Sequence, residues 1–290
     1  IDKLKFVPKV DAVINARKSY KKIGVIAPFF TQPSFMERLR GICSVLAYEQ
    51  YEVVIYTINT VEDLNNYVTS LVTGNRLDGL IFLCVRLGNA MVQLLHTAKF
   101  PVCFVENQVD DFDCVVIDNY LGGKKAAEYL YELGCKNPGF IGEGSYLEYA
   151  VRATEDRLKG YKDFFESKGI TVADNNIWLG EFSESRIDEG ITKFLNSKSL
   201  PDCMFCSSDV IASKFIHLAR VAGLNIPYDL KALGFDDIDI SEHVGLSSIL
   251  QHLEESGKEA AGLIIDRIKN PGKAPVTVSL QLKVMKRMTC

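Results

Sequence analysis

Gly234-Phe235-Asp236-Asp237, directly after the apolar Ala232-Leu233, places two adjacent carboxylates at the end of an expected buried strand. Open α/β sheets bind ligands beyond the carboxyl ends of their strands. Successive side chains leave a strand on opposite sides, so only one of the two can face a given cleft. A carboxylate there accepts hydrogen bonds from the hydroxyls of a small polar ligand; the plainer reading is a solvated turn or a helix N-cap. Asp236 is the candidate ligand contact and Asp237 a turn or hinge residue.

Other residues could share that chemistry. Arg157, at the start of a helix, offers a planar fork of donors that complements a carboxylate acceptor and suits vicinal hydroxyls or a carboxylated metabolite; the alternative is a surface ion pair. Phe29 to Phe35 follows the first strand and opens the first helix, and Phe30 and Phe35 offer flat faces for the C–H face of a sugar, or else plug the core. Asp118-Asn119 ends another strand before Gly122-Gly123 and serves either a ligand or a turn and cap. Phe182 is a candidate second aromatic wall. In Ser208-Asp209, Asp209 is expected to cap the helix that follows and Ser208 to contact ligand.

Catalytic chemistry finds no support. The four histidines (96, 217, 243, 252) are isolated from one another and from any Ser or Cys motif. Cys203 and Cys206 form a lone C-x-x-C within the strand-like Cys203-Met204-Phe205-Cys206, with no second pair at a metal-ligand spacing, so they read as buried strand rather than a redox or metal pair. Neither G-x-G-x-x-G nor a Walker sequence occurs, which disfavours a phosphate loop, and no cofactor or metal is expected.

The elements that position these residues alternate. Ile23–Ala27, Val53–Tyr56, Gly79–Leu83, Val102–Val105 and Val115–Ile117 read as strands, and helices are expected over Phe35–Tyr48, Val61–Val72, Asn89–Thr97 and Leu121–Leu133. A second series runs from Gly139–Gly142 through helices at Arg157–Lys168, Glu184–Asn196 and Val210–Ala222, with strands near Ile177–Leu179, at Met204–Cys206 and at Ala232–Phe235. Ser247–Gln251 reads as a connector, Leu253–Ile268 as an amphipathic helix and Val276–Val284 as an alternating strand. Continuously apolar strands alternating with amphipathic helices indicate parallel sheets covered on both faces, hence two similar α/β lobes.

At 290 residues and 47% apolar content the chain can bury a large core and build two lobes. It carries no apolar run long enough for a membrane span and no secretory signal, and its eight scattered cysteines fit a reducing compartment, so a cytoplasmic protein is expected. Residues 1–22 hold seven basic side chains against two acids, while the remainder holds 26 basic and 35 acidic. A basic leader on an acidic body fits an approach to nucleic acid, or a solvated linker. The chain starts at Ile1 rather than Met, so a preceding segment is expected.

From Lys22 onward the sequence resembles the effector-binding and dimerisation core of LacI-family transcription regulators, itself similar to periplasmic sugar-binding proteins. The resemblance rests on ordered motifs: Ile23–Pro28 with Gln32–Phe35 and Arg40-Gly41-Ile42; Arg76–Ile81; Ile117-Asp118-Asn119 with Gly122-Gly123 and Leu133-Gly134; Phe140-Ile141-Gly142; Arg157–Tyr161; Ser208-Asp209 with Ala212; Gly223–Pro227; Leu233–Asp237; and Gln251 before Glu254–Gly257.

The resemblance implies two Rossmann-like lobes with parallel sheets joined by three crossover segments, a periplasmic-binding-protein-like α/β fold. It assigns residues 1–21 to a linker or hinge, 22–143 plus 251–275 to the first lobe and 144–250 plus 276–290 to the second. It implies a sugar or other small-metabolite effector in the interlobe cleft, lined by Phe35, Asp118, Arg157, Phe182, Ser208, Asp236 and Gln251. Ser208 departs from the frequent Asn, and Ser34 from a frequent Phe. It further implies a homodimer, held largely through the first lobe, and operator DNA bound through a helix-turn-helix ahead of this segment. Phe6-Val7-Pro8 through Arg17 resembles the family's hinge segment and is expected to be poorly ordered without DNA. The alternatives are a solute-binding protein for sugar uptake and an enzyme, the latter lacking any nucleophile–base pair.

Overall fold

The computed structural model describes residues 19–144, 146–180, 184–197 and 200–290. The hinge reading of Phe6–Arg17 and the aromatic wall assigned to Phe182 lie outside the described residues. The first elements are β1 (Lys22–Ala27), α1 (Pro33–Tyr48), β2 (Glu52–Thr57), α2 (Val61–Gly74), β3 (Gly79–Leu83), α3 (Asn89–Leu95), β4 (Val102–Val105) and β5 (Asp113–Val116). Then come α4 (Asn119–Glu132), β6 (Pro138–Glu143), α5 (Ala153–Ser167), β7 (Ile177–Gly180), α6 (Glu184–Leu195), β8 (Cys203–Cys206), α7 (Asp209–Val221), β9 (Lys231–Asp236) and α8 (Asp239–Val244). The chain continues with β10 (Ser247–Leu250), α9 (Leu253–Lys269), β11 (Thr277–Ser279) and β12 (Lys283–Met285).

Two six-stranded sheets result, ordered β11-β5-β4-β3-β1-β2 and β12-β10-β9-β8-β6-β7. In both, the second strand in sequence lies at an edge and the first lies between the second and third, so the winding direction reverses beside the first strand. That reversal opens a crevice at the carboxyl ends of the strands. Position in the sheet explains the strand sequences. β3 and β8, flanked by strands on both sides, are buried at every residue, whereas edge strand β2 alternates with exposed positions. Within β8 the side chains alternate: Cys203 and Phe205 pack with Phe140, Tyr161 and Phe235, while Met204 and Cys206 pack with Ile141, Ile211 and Phe215. The C-x-x-C therefore splits across the sheet.

The chain divides into one unit of residues 1–115 and 254–278 and another of 116–253 and 279–290, so it passes between them three times. This differs from the sequence expectation at 116–143, which belongs to the second unit: α4 packs along α5, and β6 pairs with β7 and β8. The expected single strand over Val276–Val284 is two, with β11 beside β5 and β12 antiparallel to β10. Periodicity records alternation and cannot show that the chain changes sheets midway.

Both units contain a helix crossing closed by reciprocal glycines. A Cβ on Gly41 would lie 2.0 Å from the Glu254 carbonyl oxygen and one on Gly257 2.0 Å from that of Arg38; Gly123 and Gly160 stand in the same relation to Arg157 and Tyr120, at 1.9 Å each. Only hydrogen fits between such backbones. These crossings hold Arg38 on α1 and Arg157 on α5 in corresponding places, each three residues before its glycine.

Candidate functional site

In the second unit the carboxyl ends of β6, β8 and β9 bear Glu143, Ser207 and Asp236. Helix α5 starts four residues before the expected Arg157, which places that side chain, now buried, in the helix's second turn. Its Nε donates to Asn119 Oδ1 at 2.8 Å and its Nη1 to the Ser207 carbonyl at 2.7 Å, while the guanidinium lies 3.6 Å from the Phe235 ring centre. Stacking on an aromatic face with two fixed hydrogen bonds sets both plane and direction of the guanidinium.

Asp236 is 5% exposed and has φ 118°, followed by Asp237 at φ 58°. Two consecutive non-glycine residues at positive φ are costly backbone, of a kind that persists where surroundings over-determine it. Gln251 Nε2 donates to Asp236 Oδ1, joining two residues that the sequence reading brought together only through resemblance. Asp237 turns away and pairs with Arg287 at 2.5 Å. Asp118 is exposed and caps α4, accepting from the Leu121 amide at 2.8 Å. Ser208 caps α7 through the Ile211 amide at 3.4 Å.

Asp209 does not take the capping role expected of it. Its carboxylate is fully buried and accepts from Ser241 Oγ at 2.6 Å, the Ile238 amide at 3.0 Å and Ser248 Oγ at 2.6 Å. It thus ties α7 to the chain after β9 and to β10. Gly234 makes room for it, since a Cβ there would sit 2.1 Å from Asp209 Oδ1. Burial first, and the nearby Asp236 second, push the Asp209 carboxyl up to about 7 despite those three hydrogen bonds.

Glu143 is a candidate site residue that the sequence reading missed. Its Oε1 is buried without a hydrogen-bond partner. Burial and then Asp236 push its pKa up to about 8, with Arg157 and Lys214 pulling the other way. The signal was available: a carboxylate ends the apolar Phe140-Ile141-Gly142 run just as Asp236 ends Ala232–Phe235. Together Glu143, Arg157, Asp236 and Gln251 form a polar cluster of donors and acceptors on an aromatic floor, the composition that orients a small polyhydroxylated molecule. In the first unit, Phe35 is buried and meets Phe29 edge-on at 6.3 Å, Phe29 having φ 47°, and Phe30 is partly buried after β1.

Residues 127–290 match a family model described as a periplasmic binding protein-like domain. The chain belongs to that family. Catabolite control protein A of Priestia megaterium is 27% identical over 91% of this chain and 80% of its own length. The HTH-type transcriptional repressor PurR of Proteus mirabilis is 26% identical over 99% of this chain and 85% of its own. A crystal structure of a LacI family transcriptional regulator from Enterococcus faecium with bound ribose superposes with a TM-score of 0.79 at 24% identity, covering 92% of this chain and 98% of that one. The homologues are thus LacI-family regulators rather than enzymes, and the two-sheet fold is theirs. No described helix is long and apolar enough to cross a membrane.

Proposed function

We propose that this chain is the effector-sensing core of a LacI-type transcription regulator that binds a sugar or related small metabolite and thereby alters operator DNA binding. The observation that carries the reading is the cluster of buried Arg157, Asp236 and Gln251 with half-buried Glu143 at the carboxyl ends of β6, β8 and β9, in a chain whose curated relatives include transcriptional repressors. In this reading Phe30, Phe35, Asp118, Phe182 and Ser208 are further residues of the effector site. The regulator works as a homodimer in the cytoplasm, its DNA-binding heads contributed by a helix-turn-helix ahead of this segment. All eight cysteines are free, in keeping with a reducing compartment and against an exported solute-binding protein. Effector binding shifts the relative populations of two conformations of the regulator by its differential affinity for them.

The test is a thermal-shift and calorimetric screen of pentoses, hexoses, disaccharides, nucleosides and phosphosugars against the wild type, Arg157→Ala and Asp236→Ala. A ligand that stabilises the wild type and loses at least tenfold in affinity in both variants supports the reading. Stabilisation that survives both substitutions sinks the proposed pocket.

A further inference from the structure

Because Cys203 and Cys206 lie on opposite faces of β8, they cannot share a ligand. The thiol that meets Cys203 is Cys135, in the turn after α4. Cys135 Sγ, Cys203 Sγ and a carboxylate oxygen of Asp202 lie within 4.8 Å of one another. Asp202 is held by one side only: its Oδ2 accepts from the Lys136 amide at 2.5 Å and the Asn137 amide at 3.0 Å, while its Oδ1 is buried with no hydrogen-bond partner. The amides come from the two residues after Cys135, so one short turn supplies a sulfur and orients the carboxylate. The Tyr161 hydroxyl stands 3.8 Å from Cys203 Sγ on the other side.

Two thiols and a carboxylate that has one oxygen without a hydrogen-bond partner make an S,S,O donor set. Zinc takes thiolate sulfur at about 2.3 Å and carboxylate oxygen at about 2.0–2.2 Å, which puts tetrahedral donor atoms about 3.5–3.8 Å apart. A contraction of at most about 1.0–1.3 Å brings these three atoms to that spacing. A divalent cation replaces both thiol protons and gives a further partner to a carboxylate that has one oxygen unpartnered.

We propose that Cys135, Cys203 and Asp202 form a binding site for one zinc ion per chain. On binding, each thiol loses its proton to solvent, so two protons leave per Zn2+, and the three anionic ligands leave the site with one net negative charge. Tyr161 hydrogen-bonds the Cys203 sulfur, and a water occupies the fourth position. The ion clamps the turn after α4 to the amino end of β8, the opposite strand end from Arg157 and Glu143. The site is therefore separate from the proposed effector cluster, and its test does not depend on any effector.

The metal-free full chain, kept reduced by a non-thiol reductant, is titrated with Co2+ and then Zn2+. The expected result is a thiolate-to-cobalt charge-transfer absorption that saturates at one Co2+ per chain, is displaced by one Zn2+, and vanishes in Cys135→Ala and Cys203→Ala but not in Cys206→Ala or Cys43→Ala. Asp202→Asn is expected to weaken binding at least tenfold. Absence of the band in the wild type, or its survival in Cys135→Ala, overturns the proposal. Should the cysteine variants misfold, X-ray absorption at the zinc edge of the wild type decides: two sulfurs with light atoms support the site, and a shell of nitrogen and oxygen alone refutes it.

Discussion

Arg38 and Arg157 hold matching places in the two units, yet their surroundings differ. Each lies three residues before a glycine at a tight helix crossing. Arg38 reaches Glu106 at 2.9 Å, with both side chains 4% exposed, so a buried cation is matched by a buried anion. Arg157 spends two of its donors on neutral oxygens of Asn119 and Ser207 and stacks on Phe235, in a neighbourhood where Glu143, Asp209 and Asp236 are all carboxyls. The first arrangement is balanced and serves cohesion. The second carries an excess of acids, two of them pushed up towards neutrality. Such imbalance within otherwise equivalent scaffolding supports the proposed ligand site in the second unit.

The comparison breaks first at the arginines. Arg38→Met takes the cation from the buried Glu106 carboxylate and is expected to cost about 3–5 kcal/mol in urea denaturation, against about 1–3 kcal/mol for Arg157→Met, which gives up hydrogen bonds to Asn119 and Ser207. The reverse ranking would dissolve the contrast. Asp209→Ala leaves two seryl hydroxyls and the Ile238 amide without their acceptor and should destabilise by about 2–4 kcal/mol, with faster amide exchange at Ile238.

Glu143 sharpens the contrast through pH. Its carboxyl keeps its proton in the folded chain up to about 8 but releases it near 4.5 when unfolded, so the folded state holds more protons across that window and stability falls as pH rises through it. Glu143→Gln should abolish about 1–3 kcal/mol of that decline, read as urea midpoints at about pH 5 and about pH 8; an unchanged slope would place the group in solvent. Smallest is Ser208→Ala, which removes the α7 cap for about 1 kcal/mol and serves as a control that leaves the acid cluster in place.

The alternation of strands and helices was legible because apolar runs and amphipathic spacing are local. Asp236 was legible for a related reason: a carboxylate that ends a buried strand is visible in six residues. Gln251 came from resemblance alone, since nothing near it hints at a partner fifteen residues earlier. Asp209 was misread as a cap because its partners Ile238, Ser241 and Ser248 lie 29 to 39 residues downstream, and only the fold brings them to it. The boundary at 143 failed for a similar reason. Which sheet β6 joins is a matter of pairing, and pairing leaves no trace in the pattern of a single strand.

The three passages of the chain between its units have a consequence for synthesis. The sheet begun by β1 waits for β11, and the sheet begun by β6 waits for β12, so neither is complete until the residues from Thr277 to Met285 are synthesised. Neither unit exists as one contiguous stretch that could be cut out and produced alone. The edges that β5 and β10 present meanwhile are open strands, the kind that recruit other chains. Long-range closure of this sort is slow. A nascent chain stalled short of Thr277 should therefore be the aggregation-prone species, while the finished one is not.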